Sequence, residues 1–333
     1  MSSEPQAEHR TASARGPVFI VGMPRSGTKL LRGLMNQSPR IRILDPETDF
    51  FPFLVRWVQT HGRARSDDDF MRLYAALASS RYFVHRKQPW TFSPRDWRRV
   101  CAAYDAGGLF EGFIRYETAT PRDAEVLVGD KSPAYVRHVA MLLAHFPNAR
   151  IIHLVRDVRD HCASIRKAWN KDVRRAAYLW GRDVALAHRV CLANPERCIE
   201  LRYEAVLGAT EVELRRLCDF LGIEFTDEMM RLHRPAEELG DATGKVEVIA
   251  DNFGKYGERL TAREIQAIES LALPTMRMLG IVPRYAKTQR EMSWPERQLR
   301  RTKDAFELVM HGRPRLGVTG ALRSHLAHAR QAD

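Results

Sequence analysis

Val18-Phe19-Ile20-Val21-Gly22-Met23-Pro24-Arg25-Ser26-Gly27-Thr28-Lys29-Leu30-Leu31 runs from an apolar tetrapeptide through a Gly/Pro turn into apolar residues at helical spacing. The first four residues read as a buried strand. Leu30, Leu31, Leu34 and Met35 then share one face of a helix that begins near Ser26–Thr28 and ends before Ser38-Pro39. A turn between a strand and a helix points several backbone N–H groups and a positive helix end at one spot, which suits phosphate or sulfate oxygens. Gly22 and Gly27 permit the turn and the close approach of an anion, and Arg25 adds a planar cationic fork at the rim.

Outward from this loop, strands alternate with helices, as in a parallel sheet covered on both faces. Glu125–Gly129, Arg150–Val155 and Cys198–Arg202 are expected strands. Helices are expected over residues 158–168, 172–193 and 210–221, and another carries Val136, Val139, Ala140, Leu142 and Leu143 and stops before Pro147. Pro133 sits where a first-turn proline is favourable. The fold class is therefore α/β, a P-loop-type three-layer arrangement with a central parallel sheet flanked by helices. Residues 1–16 read as a polar disordered tail, 17–283 as the main domain and 284–333 as a basic helical C-terminal extension. A helical, aromatic-rich insert covers about 50–124, expected to pack its own core and to wall an acceptor pocket in part.

The chain has 333 residues, 44% hydrophobic and 28% charged, which is ordinary globular composition. It has no apolar leader and no apolar run long enough to span a bilayer, so a cytoplasmic location is expected. The five cysteines lack CxxC spacing and no HExxH cluster occurs, so buried reduced thiols and no metal site are expected. Half of the formal charge of +12 lies in residues 284–333, with eleven Lys/Arg against five Asp/Glu. That segment has the composition to lie on its own domain, on a partner or peripherally on a membrane surface, and the first is expected. No zinc-finger spacing or RNA-recognition signature supports a nucleic-acid partner. A Walker A loop requires Lys-Ser/Thr directly after its last glycine. Here Thr28-Lys29 follows Gly27, and Arg156 stands where a triphosphatase places a metal carboxylate, so a P-loop kinase or NTPase is the disfavoured alternative. A catalytically idle nucleotide-binding module is a third reading.

PRSGTKLL and IIHLVRDVRDHCASI together resemble the sulfotransferase family, most closely its tyrosylprotein and bacterial branch, over about Val18–Leu279. The resemblance implies 3′-phosphoadenosine-5′-phosphosulfate (PAPS) as co-substrate, with Arg25 at the sulfonate and the amides of Ser26, Gly27 and Thr28 around the 5′-phosphate. Lys29 departs from the family's usual Thr or Ser and adds a charge near the phosphates. Arg156 and Ser164, eight residues apart, resemble the family's 3′-phosphate clamp. DPETDFF places Glu47 at the position of the general base, GDKSPAY places Lys131 at the position of the charge-stabilising lysine, and LRYEAVL places Tyr203 beside the adenine. ADNFGKYGERLT resembles the loop that closes over the nucleotide, with Lys255 as its basic contact. The acceptor implied is a hydroxyl on a peptide, sugar, lipid or small molecule, attacked in line and without a metal.

Overall fold

A computed structural model describes residues 16–84, 91–235 and 241–307; the remainder of the expected tail and extension, and Trp90 of the insert, lie outside them. Five parallel strands form one sheet: β1 (Val18–Gly22), β2 (Ile41–Ile43), β3 (Leu127–Lys131), β4 (Arg150–Val155) and β5 (Cys198–Arg202), in the order β2-β3-β1-β4-β5. The central strand β1 is buried along its whole length, as an apolar run covered on both faces must be. Its alternate residues serve two cores. Phe19 and Val21 join one, and Val18 and Ile20 join the other with Leu30, Leu31, Ile152 and Leu201.

The insert does not keep a core to itself. Phe50, Phe51, Phe70, Trp97, Phe110 and Phe113 belong to the same cluster as Phe19 and Ile151. Phe19 meets Phe146 at 5.1 Å and Phe51 meets Phe110 at 5.0 Å between ring centroids, so the insert forms one layer of the domain. Gly16, placed by sequence in the tail, already donates its amide to the Asn148 carbonyl at 3.2 Å.

The described part of the C-terminal segment packs on the domain. Buried Glu269, on the helix Ala262–Met278, accepts the amides of Arg284, Tyr285 and Ala286 at 2.7–3.0 Å and pairs with Arg159 at 3.0 Å. A helix over residues 294–307 then lies against the start of the helix Val173–Leu192 through Arg300–Asp172 (2.6 Å) and Arg175–Asp304 (3.0 Å). No helix of the described residues is long and apolar enough to cross a membrane. All five cysteines are free and buried.

The topology places the site. The chain leaves β1 toward β2 and β3 on one side and returns through β4 and β5 on the other, so the carboxyl end of β1 is a switch point, where open α/β sheets leave a crevice. Registers of Ile20 with Lys131, Gly22 with Leu154 and Val155 with Arg202 bring the ends of four strands to that edge.

Candidate active site

The loop after β1 turns sharply into the helix Thr28–Met35. Its tightness rests on two glycines. A Cβ on Gly22 would stand 2.4 Å from the Leu154 carbonyl oxygen, and one on Gly27 (φ 89°) would stand 2.3 Å from the Tyr203 ring. No side chain caps the helix, so its first amides stay available to an anion. Ser26 is fully buried in the loop with its hydroxyl oxygen unpartnered, and the Nε of buried Arg156 is likewise unpartnered. Buried polar atoms without partners are costly, and a phosphate-like group would satisfy both. This donor set fits an anionic nucleotide.

Arg156 emerges from the end of β4 and is held from three sides. Its guanidinium donates to the Arg25 carbonyl at 2.9 Å and lies 4.5 Å from the centre of the Tyr203 ring, while Trp180 Nε1 donates to its carbonyl at 3.0 Å. Ser164, two turns into the helix Val158–Trp169, accepts from Arg25 Nε at 3.3 Å. Four sequence-predicted residues, Arg25, Arg156, Ser164 and Tyr203, therefore converge on Gly27, although 139 positions separate the first from Ser164. Tyr203 and Asn252 also line a small hollow of about 20 Å³ with Leu30, Leu207, Lys245 and Glu247. Lys255 sits on a strap over residues 249–256 beside it and donates to Asn252 Oδ1 at 3.4 Å. Asp160 anchors that strap by accepting the amides of Gly254 at 2.5 Å and Tyr256 at 3.0 Å.

On the other side of β1, Lys131 ends β3 with no exposure and donates to Glu47 Oε1 at 2.6 Å. Burial pushes the Lys131 ammonium below its ordinary value, opposed by the charge of Glu47 and reinforced by Arg32 and Lys29. Lys29 thus acts electrostatically on this pair and on Asp45, which Arg32 also binds. Glu47 precedes the helix Phe51–His61 by four positions and does not cap it. Its place is set by the next residues. The Thr48 amide donates to Ser132 Oγ at 3.0 Å, and the Phe51 amide donates to the Tyr135 hydroxyl at 2.9 Å, which also meets Thr48 Oγ1 at 2.8 Å. Thr48, Ser132 and Tyr135 are buried and clamp the Glu47 segment onto the exit of β3.

A sequence model of the sulfotransferase family matches residues 17–227. This chain belongs to that family. Among its sulfotransferase relatives, the protein-tyrosine sulfotransferase A of Caenorhabditis elegans is 24% identical over 64% of this chain and 51% of its own length. An omega-hydroxy-beta-dihydromenaquinone-9 sulfotransferase of Mycobacterium bovis is 26% identical over 69% of each chain. This chain thus spans about half the length of the nematode relative. Among solved structures, the sulfotransferase domain from the curacin biosynthetic pathway superposes with a TM-score of 0.54 at 18% identity, over 81% of this chain and 99% of that one, and shares the fold.

Residues named from sequence fall in two groups about the end of β1: Arg25, Gly27, Arg156, Ser164 and Tyr203 meet on one side, and Glu47 pairs with Lys131 on the other. Sequence reasoning did not reach the residues that hold them: Asp160, Trp180, Asn252, Thr48, Ser132 and Tyr135. It also treated residues 156–160 only as ligand or as solvated charge. In the fold Arg159 and Asp160 are buried, and they tie the helix Ala262–Met278 and the strap over 249–256 to the end of β4. Asp130, beside Lys131 in β3, is fully buried, and burial pushes its carboxyl up to about 7 against the opposing effect of the nearby Ser132 and Thr48 hydroxyls.

Proposed function

We propose that this chain transfers the sulfonate of PAPS to a hydroxyl of an acceptor. The observation that carries the proposal is the convergence on one crevice of an uncapped helix start, the Arg25–Ser164 and Arg156–Tyr203 contacts, and the Glu47–Lys131 pair. The amides of Gly27 and Thr28 hold the 5′-phosphate, joined by the Ser26 amide once it turns from the Met23 carbonyl, to which it donates at 3.1 Å in this structure. Arg156 and Ser164 take the 3′-phosphate, Tyr203 faces the adenine, and Lys255 contacts the nucleotide from its strap. Arg25 lies along the sulfonate. Lys29, on the Glu47 side of the loop, adds positive charge near the transferring group.

Transfer forms a bond from the acceptor oxygen to sulfur and breaks the bond from sulfur to the bridging oxygen, releasing 3′-phosphoadenosine-5′-phosphate. Glu47 accepts the acceptor's proton as the new bond forms. A carboxylate paired with an ammonium at 2.6 Å is a poor base. The arriving phosphosulfate draws Lys131 toward the bridging oxygen, which leaves Glu47 free for the acceptor. Lys131 and Arg25 then offset the charge that grows on the leaving oxygen, the role a metal ion performs in kinases. The proposal therefore needs no metal. It includes a cytoplasmic location and no nucleic-acid partner. The names of the relatives favour an acceptor hydroxyl on a peptide tyrosine or on a lipid-like molecule.

The test is transfer of label from sulfur-labelled PAPS, with a chelator present, to a panel of phenols, tyrosine peptides and long-chain alcohols. Labelled product from one class, lost in Glu47→Gln, is expected. Absence of product from every class, with ATP hydrolysis on addition of magnesium, would favour the kinase or NTPase reading.

A further inference from the structure

A groove of about 260 Å³ lies between the helix Val173–Leu192 and the helix over 294–307, on elements that carry none of the nucleotide-binding residues proposed above. Arg175, Arg182, Arg297 and Arg301 line it, with Tyr178 and Trp294, and no carboxylate does. Two of the four guanidinium groups are committed outside the groove, Arg175 to Asp304 at 3.0 Å and Arg182 to Asp183 at 2.6 Å. Arg297 meets only a neutral group, donating to the Tyr178 hydroxyl at 3.0 Å, and its buried Nε has no acceptor. Exposed Arg301 has no carboxylate partner among the described residues. A set of planar donors without matching acceptors is suited to an oxyanion bound through two parallel hydrogen bonds. Tyr178 and the largely exposed ring of Trp294 offer flat apolar surface beside those donors. The volume suits one ring with one ester group rather than a nucleotide. The C-terminal residues that follow the groove's second helix are no electrostatic match, since 308–333 hold four arginines and one aspartate.

We propose that this groove is a second anion site, taking a sulfate or phosphate monoester borne on an aromatic ring and filling independently of the nucleotide crevice. Isothermal calorimetry on the full chain, at a pH acidic enough to keep 4-nitrophenol un-ionised, tests it with 4-nitrophenyl sulfate, 4-nitrophenyl phosphate and 4-nitrophenol, each with and without 3′-phosphoadenosine-5′-phosphate. The expected result is saturable binding of at least one ester, no saturable binding of the phenol, and no change on adding the bisphosphate. The better-bound ester names the group the site prefers. Arg301→Glu, an exposed change remote from the core, is expected to weaken the ester about ten-fold or more, and Arg301→Lys less. Trp294→Phe is expected to remove any tryptophan fluorescence change on ester binding. The proposal is overturned by equal ester affinity in the wild type and Arg301→Glu, by loss of ester binding when the bisphosphate is added, by phenol binding as strong as ester binding, or by no saturation with either ester. All of these outcomes except the competition by bisphosphate can be read whether or not the bisphosphate itself binds.

Discussion

Replacing Glu47 by glutamine separates its chemistry from its structural part. Glu47 is about one-fifth exposed and pairs with a fully buried Lys131 at 2.6 Å. A glutamine keeps an oxygen where Oε1 now accepts the lysine's proton, so the β3 end stays hydrogen-bonded, but it cannot take a proton. Loss of a general base typically costs about 10²–10⁴-fold in rate. Glu47→Gln is therefore expected to lower kcat by that factor while nucleotide affinity and denaturant midpoint change little. Glu47→Ala is different, because it leaves the lysine buried without its counter-charge. Breaking one half of a buried pair costs about 3–5 kcal/mol, reduced here by the partial exposure of Glu47 and by deprotonation of the lysine. The assays are single-turnover transfer from labelled PAPS, calorimetry with the bisphosphate, and urea unfolding, applied to both variants. A glutamine variant with near wild-type single-turnover rate would refute the base assignment, whatever the alanine variant did to stability.

Arg156→Ala should weaken 3′-phosphoadenosine-5′-phosphate by about ten- to a hundred-fold, the worth of a charge-assisted hydrogen bond, and leave AMP nearly unchanged. Equal losses for both nucleotides in calorimetry would remove the 3′-phosphate role. Gly27→Ala must push aside the Tyr203 ring, which lies 2.3 Å from the new carbon, so nucleotide affinity should fall; Gly208→Ala, with nothing within 4 Å, is the control expected to bind normally. Asp130 has its carboxyl raised by burial from 3.8 to about 7, so the native state holds a proton that the unfolded chain releases. That stabilisation is complete below about pH 4 and is lost as pH rises through about 7, at most about 4 kcal/mol. Urea midpoints of the wild type should therefore fall between pH 5 and 8 relative to Asp130→Asn, and a parallel pair of curves would show that the carboxyl is ionised throughout.

The strands that bear the site were legible where hydropathy marked them. Val18–Val21 and Arg150–Val155 are apolar runs, and their folded spans agree to within a residue. β2 left no such mark, because Ile41–Ile43 has three residues with an exposed arginine at its centre. β3 was read two residues early. Its last residues, Asp130 and Lys131, look like a turn by type; within the strand Glu47 pairs with Lys131 and burial raises the carboxyl of Asp130 toward its neutral form. Motifs announced Arg25, Arg156 and Ser164 through glycines and spacing. They could not announce Thr48, Ser132 or Tyr135, ordinary residues whose work comes from hydrogen bonds across 84 to 87 positions. The insert's aromatics were recognised as core, but the sharing of that core with Phe19 follows from sheet packing that no local pattern records.

The central claim is that this crevice holds a nucleotide with phosphates at both 3′ and 5′ positions. Calorimetric titration with 3′-phosphoadenosine-5′-phosphate in the presence of EDTA, against AMP and ATP, tests it most directly. The account predicts micromolar binding of the bisphosphate, much weaker binding of AMP, and no requirement for magnesium. Failure to bind the bisphosphate, or a preference for ATP that appears only with magnesium, would contradict it.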